Sequence, residues 1–111
     1  MIQDAKQCID LCHKNVVKIY AIVFEPKNYG VLMEYMKYGS LDIFLKVFKP
    51  NQNWKINATL DIVLAMNYLH TRKKPVIHGD LKMTNTLVDA NKTVKVFILT
   101  FCHLLVSYQL L

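Results

Sequence analysis

Between Trp54 and His70 the apolar residues Ile56, Leu60, Val63 and Leu64 recur at helical spacing, and Ile62, Met66 and Leu69 widen the face they define. A helix apolar over so much of its circumference is expected to lie largely buried. Lys73, Lys74 and Pro75 stop it. After them the period shortens. "VIH", "TLVD" and "TVKVF" are apolar runs of strand length, and "DANK" between the last two carries the side chains of a hairpin turn. One long buried helix running into short strands restricts the chain to folds that mix the two.

The upstream half agrees. "QDAKQCIDLCH" places Ala5, Cys8, Ile9 and Cys12 on one helical face, and Asn15 ends that helix. "VVKIYAIVF" and "YGVLMEYM" read as strands joined by the turn "EPKN", an antiparallel hairpin. "KYGS" interrupts the pattern, Ser40 is placed to cap the helix "LDIFLKVF", and Pro50 closes it. The order helix, hairpin, two helices, short strands defines an α+β fold.

A chain of 111 residues makes one domain, and with 53% hydrophobic residues it is not disordered. "MIQDAKQ" has no apolar leader, and the three cysteines are an odd number, so reduced thiols in a cytoplasmic protein are expected. The net charge of +6 comes from dispersed lysines, with Arg72 the single arginine. Base readout and phosphate clamping favour arginine's planar fork, so this is read as a solvated surface with no nucleic-acid partner. The tail "FILTFCHLLVSYQLL" falls short of the roughly 20 apolar residues a spanning helix needs. His103, Ser107 and Gln109 dilute it further, and membrane association is not expected.

The polar stretch "VIHGDLKMTN", residues 76–85, stands between apolar segments. "HGDLKMTN" resembles the catalytic loop of protein kinases, H-R-D-L-K-x-x-N, with Gly79 in place of the arginine. Its neighbours match in order and spacing. "HKNVVKIYAIVFEP" resembles the strand after the family's helix αC, "YGVLMEYMKYGSLDIFLK" the strand, hinge and helix αD, "DIVLAMNYLHTRKKPVIHGDLK" helix αE and the catalytic loop, and "NTLVDANKTVKV" the hairpin after it. The chain is thus identified as similar to the serine/threonine kinases of the tyrosine-kinase-like group. The fold implied is partial and protein-kinase-like over residues 1–96, with a non-kinase-like apolar tail at 97–111.

The resemblance implies roles. Asp80 would orient a substrate hydroxyl and accept its proton, Lys82 would neutralise the γ-phosphate of ATP, and Asn85 would hold a Mg²⁺ through its amide oxygen. Met33 falls at the gatekeeper position, Glu34 and Met36 at the hinge whose backbone meets adenine, and Leu87 at the floor beneath the ring. Cys8 and Ile19 match positions of the packed spine that links the lobes. The implied partners are a protein substrate, a partner kinase or a scaffold.

Three departures accompany these matches. The family's glycine-rich loop and its strand lysine are absent from the sequence, and the helix αC glutamate is replaced by Asp4. After "VKV" and one residue the pattern calls for Asp-Phe-Gly, but the chain has Ile98-Leu99-Thr100, so isoleucine replaces the magnesium-binding aspartate. No activation segment follows. The middle is well kept while both ends depart abruptly, so the sequence is expected to be a piece of a kinase domain that is inactive alone. The alternative is a non-catalytic, pseudokinase-like binding module. Gly79 further implies a parent kinase that needs no activation-loop phosphate.

Overall fold

A computed structural model describes residues 2–76, 79 and 81–98. The elements in order are helix α1 (Ile2–Ile9), strands β1 (Ile19–Glu25), β2 (Asn28–Met33) and β3 (Gly39–Ser40), helices α2 (Leu41–Phe48) and α3 (Gln52–His70), a 3₁₀ turn (Met83–Asn85), and strands β4 (Thr86–Val88) and β5 (Val94–Val96). The α+β order expected from the sequence is the order observed.

β1 and β2 form the expected antiparallel hairpin, with Ile22 opposite Val31 and Glu25 opposite Asn28. Lys27 turns it with a φ of 68°. The first strand begins later than its apolar run. Val16 instead forms a parallel bridge with Val96, and Val17 N–H donates to the Val96 carbonyl at 2.9 Å. The run "VVKIYAIVF" is therefore divided between two sheets. The second sheet has the order β3-β4-β5, so "KYGS", which reads as an interruption, supplies a short strand. Gly39 pairs with Val88 and Ser40 with Leu87.

Helix α1 is also shorter than its periodic stretch. It ends at Ile9, where Leu11 N–H reaches back to the Cys8 carbonyl at 3.3 Å in a tightened last turn. The Lys18 ammonium donates to the carbonyls of Ile9 at 2.9 Å and Leu11 at 3.1 Å, a cation at the negative end of the helix. Ser40 occupies the N-cap of α2 in extended conformation, but its hydroxyl makes no capping hydrogen bond. Ser40 holds the Asp42 carboxyl below its usual range instead. The side chain that does cap a helix is Asn51, whose Oδ1 accepts from Trp54 N–H at 2.9 Å.

Two apolar clusters share α3. The first joins Cys8, Leu11, Val16, Ile19, Ala65, Leu69, Val96 and Ile98. The second joins Leu41, Phe44, Ala58, Val88 and Val94, and Ile62 packs against both. The small side chains of Ala58 and Ala65 let the β4–β5 hairpin lie close to the helix. This corrects the expectation that α3 lies largely buried. Ile56, Leu60 and Val63 are 57%, 53% and 58% exposed. Helical spacing finds two apolar sectors on opposite sides of α3. Only the alanine side packs on the strands of the described residues.

Candidate functional site

The residues expected to form a hinge lie where β2 hands over to β3. Met33 is the last residue of β2 and pairs with Ile19. Glu34 is fixed on both its backbone and its side chain. Its N–H donates to the Lys18 carbonyl at 2.9 Å, and its Oε2 accepts from Lys18 N–H at 3.0 Å. Met36 is buried, and its carbonyl accepts from Gly39 N–H at 3.1 Å. Tyr38 N–H donates to the Val88 carbonyl at 3.0 Å, which ties the end of this segment to β4.

Leu87 sits in the middle of β4, half-buried, between Thr86 and Val88, which are buried on the opposite face. Its cross-strand partner in β5 is Lys95. Directly opposed residues of an antiparallel pair project to the same face, so Leu87 and Lys95 share one surface. From there Lys95 Nζ reaches Glu34 Oε1 at 2.5 Å, with Asp89 Oδ2 at 3.7 Å. Glu34, Leu87 and Lys95 are thereby brought to one place, with Met33 and Met36 alongside in sequence. Lys95 was not legible as part of this site. The alternation in "VKV" marks it as facing away from the core, but only the turn length sets which residue it opposes.

The loop residues approach from the other end of β4. Asn85 closes the 3₁₀ turn and is 5% exposed. Its N–H donates to the Lys82 carbonyl at 3.0 Å, and its own carbonyl accepts from Phe97 N–H at 2.9 Å. Leu87 lies two residues further along the chain, a rise of about 6–7 Å. Lys82 is exposed and extended, with φ −158°, and its carbonyl also accepts from Thr86 Oγ1 at 3.0 Å. Gly79 adopts a φ of 78°, a conformation glycine takes without a Cβ penalty. Asp80 and His78 lie outside the described residues.

Ile98 occupies the place of the pattern's metal-binding aspartate. It is 1% exposed and packs in the first cluster with Val96, Leu69 and Leu11. An aliphatic side chain there offers no oxygen to a cation. Among the described residues no group of three or more His, Cys, Asp or Glu side chains could hold a metal ion. Among the described residues, the expected donor set for Mg²⁺ therefore lacks the pattern's carboxylate. Among the described residues no helix is long and apolar enough to cross a membrane.

The expected spine positions Cys8 and Ile19 are both buried in the first cluster. Nearby, Tyr68 stacks on His13 with ring centroids 4.9 Å apart. Its hydroxyl accepts from Cys12 N–H at 2.9 Å and from Arg72 at 2.6 Å. Burial, then the neighbouring Lys14 charge, hold the His13 imidazole below its ordinary pKa against an opposing pull from Asp61.

Residues 1–105 match the family profile described as protein tyrosine and serine/threonine kinase. The chain is 37% identical over 90 residues to the serine/threonine-protein kinase CTR1 of Arabidopsis thaliana, covering 78% of this chain and 11% of that protein. It is 37% identical over 97 residues to the receptor-interacting serine/threonine-protein kinase 1 of Homo sapiens, covering 86% of this chain and 14% of that one. The human ankyrin repeat and protein kinase domain-containing protein 1 is 35% identical over 96 residues, with 86% and 12% covered. The chain thus spans roughly a tenth of the length of these curated relatives. It belongs to the protein tyrosine and serine/threonine kinase family, as a segment of a kinase domain of the tyrosine-kinase-like type.

Proposed function

We propose that this segment comes from a serine/threonine kinase that moves the γ-phosphate of ATP to a protein hydroxyl, and that residues 1–111 alone do not carry out that transfer. In this reading Asp80 orients the hydroxyl and takes its proton, and Lys82 offsets charge on the transferring group. Met33, Met36 and the backbone of Glu34 form the hinge edge of the adenine site, and Leu87 forms its floor. Asn85 is the remaining candidate oxygen donor for Mg²⁺. The observation that carries the inactivity is the burial of Ile98 at 1% exposure in an apolar cluster, where the pattern calls for a carboxylate. Magnesium offsets charge on the phosphates in this family, and one amide oxygen does not replace the lost anchor. No step through the metal follows for this chain.

The same burial favours a second reading, a pseudokinase-like module that binds a partner kinase or scaffold without transferring phosphate. One comparison tests both. The chain and its Asp80→Asn variant are incubated with radiolabelled ATP and a serine/threonine peptide mixture. Equal labelling at background is expected. Labelling that depends on Asp80 would refute the inactivity. Partner capture unchanged by Asp80→Asn supports the binding module, and capture lost in that variant counts against it.

A further inference from the structure

Opposed residues of an antiparallel pair alternate between exchanging both backbone hydrogen bonds and exchanging none. Lys18 and Glu34 follow the Ile19–Met33 pair, at the position where both bonds are due. Only one backbone bond forms. Glu34 N–H donates to the Lys18 carbonyl at 2.9 Å, but Lys18 N–H donates to Glu34 Oε2 at 3.0 Å rather than to the Glu34 carbonyl. The carboxylate has taken the carbonyl's place in the ladder. Among the described residues no donor reaches the Glu34 carbonyl.

Lys95 is what holds the carboxylate there. Its ammonium donates to the second oxygen, Oε1, at 2.5 Å, and both side chains are mostly buried. One carboxylate oxygen thus serves the strand and the other the cation. Lys95 is steered in turn by Asp89 Oδ2 at 3.7 Å. The other oxygen of Asp89 is fixed by Asn91 N–H and Thr93 N–H, each at 2.9 Å. On the far side Lys18 is anchored by its own ammonium on the Ile9 and Leu11 carbonyls.

We propose that Lys95 is a positioning residue for purine recognition. By holding the Glu34 carboxylate on Lys18 N–H, it keeps the Glu34 carbonyl out of the ladder and open to the exocyclic amine of adenine, a hydrogen-bond donor. Without Lys95 the carboxylate loses one partner, and the carbonyl can return to Lys18 N–H, the ordinary bond of such a pair. This rests on the hinge reading above, and adds to it a residue outside the hinge.

The test titrates the full chain by ligand-observed NMR with adenosine and with purine riboside, which carries hydrogen in place of the amine. Adenosine should bind about twofold to tenfold more tightly, the range of one net hydrogen bond. Lys95→Met should erase that preference and leave purine riboside binding unchanged. Lys95→Arg, which keeps the cation, should restore it. In the wild-type chain the Glu34 carbonyl carbon resonance should move with adenosine and not with purine riboside, a readout that needs no variant. Binding of neither ligand by the wild-type chain would overturn the hinge reading, and this proposal with it. A preference that survives in Lys95→Met, an equal loss of both ligands there, or an unmoved Glu34 carbonyl would overturn the role of Lys95 and leave the hinge reading standing.

Discussion

Lys95 Nζ lies 2.5 Å from Glu34 Oε1, and this pair joins the β4–β5 hairpin to the end of β2. Both side chains are less than a fifth exposed, at 17% and 19%. Removing one partner leaves the other charge short of solvation. We therefore expect Lys95→Met to destabilise the chain by about 1–3 kcal/mol. Glu34→Gln should cost a similar amount, and the double variant less than the sum. Urea unfolding of the four proteins measures the coupling. Strict additivity would mean the pair contributes nothing of its own.

The exposed stripe of α3 predicts behaviour in solution. Ile56, Leu60 and Val63 present a continuous apolar edge to solvent, which favours association. Leu60→Lys should raise the concentration at which the chain stays monomeric, with a change in stability within about 0.5 kcal/mol. Ala65→Lys, on the packed side at 0% exposure, should abolish folding. Light scattering and thermal melts separate the two. Equal loss of folded protein in both variants would contradict the assignment of faces.

His13 supplies a pH dependence. Its Nδ1 accepts from Asn15 N–H at 3.0 Å, a bond only the neutral ring can take. Burial and Lys14 lower its pKa in the folded chain, so the unfolded chain binds the proton more readily. The stabilisation is therefore full above the ordinary imidazole value of about 6.5 and is lost as pH falls below it. Melting temperature should drop between about pH 7 and pH 5, and His13→Gln should flatten that drop. A wild-type profile that rises on acidification would have the wrong sign.

Gly79 departs from the family's arginine, and its φ of 78° sets the effect of changing it. A Cβ there meets nothing within 4 Å, so the cost is conformational rather than steric crowding. Gly79→Ala should destabilise by about 1 kcal/mol, read as a shift in the urea midpoint at constant slope.

The parts of the fold that are local in sequence were legible, and those set by pairing were not. Turn residues and β-branched runs gave the β1–β2 and β4–β5 hairpins, and the two later helices follow from periodicity and their Pro and polar stops. The end of α1 was not legible, because it depends on Lys18 reaching back to the Ile9 and Leu11 carbonyls. The buried side of α3 was misread, because periodicity cannot say which apolar sector meets a strand. At the candidate site, Met33, Glu34, Met36 and Leu87 were proposed through the resemblance, whereas Lys95 needed the register that opposes it to Leu87. Trp54 looked like one more helix residue until Phe44 and the Lys92 carbonyl fixed its ring.

Ile98 is expected to leave this kinase segment without a working magnesium site. The most direct test is calorimetric titration of ATP into the chain, with 10-fold excess Mg²⁺ in one series and EDTA in the other. ATP affinity, strong or weak, is expected not to rise with Mg²⁺, and its independence of the metal should persist in Asn85→Ala. Tighter binding with Mg²⁺ that disappears in Asn85→Ala would contradict it.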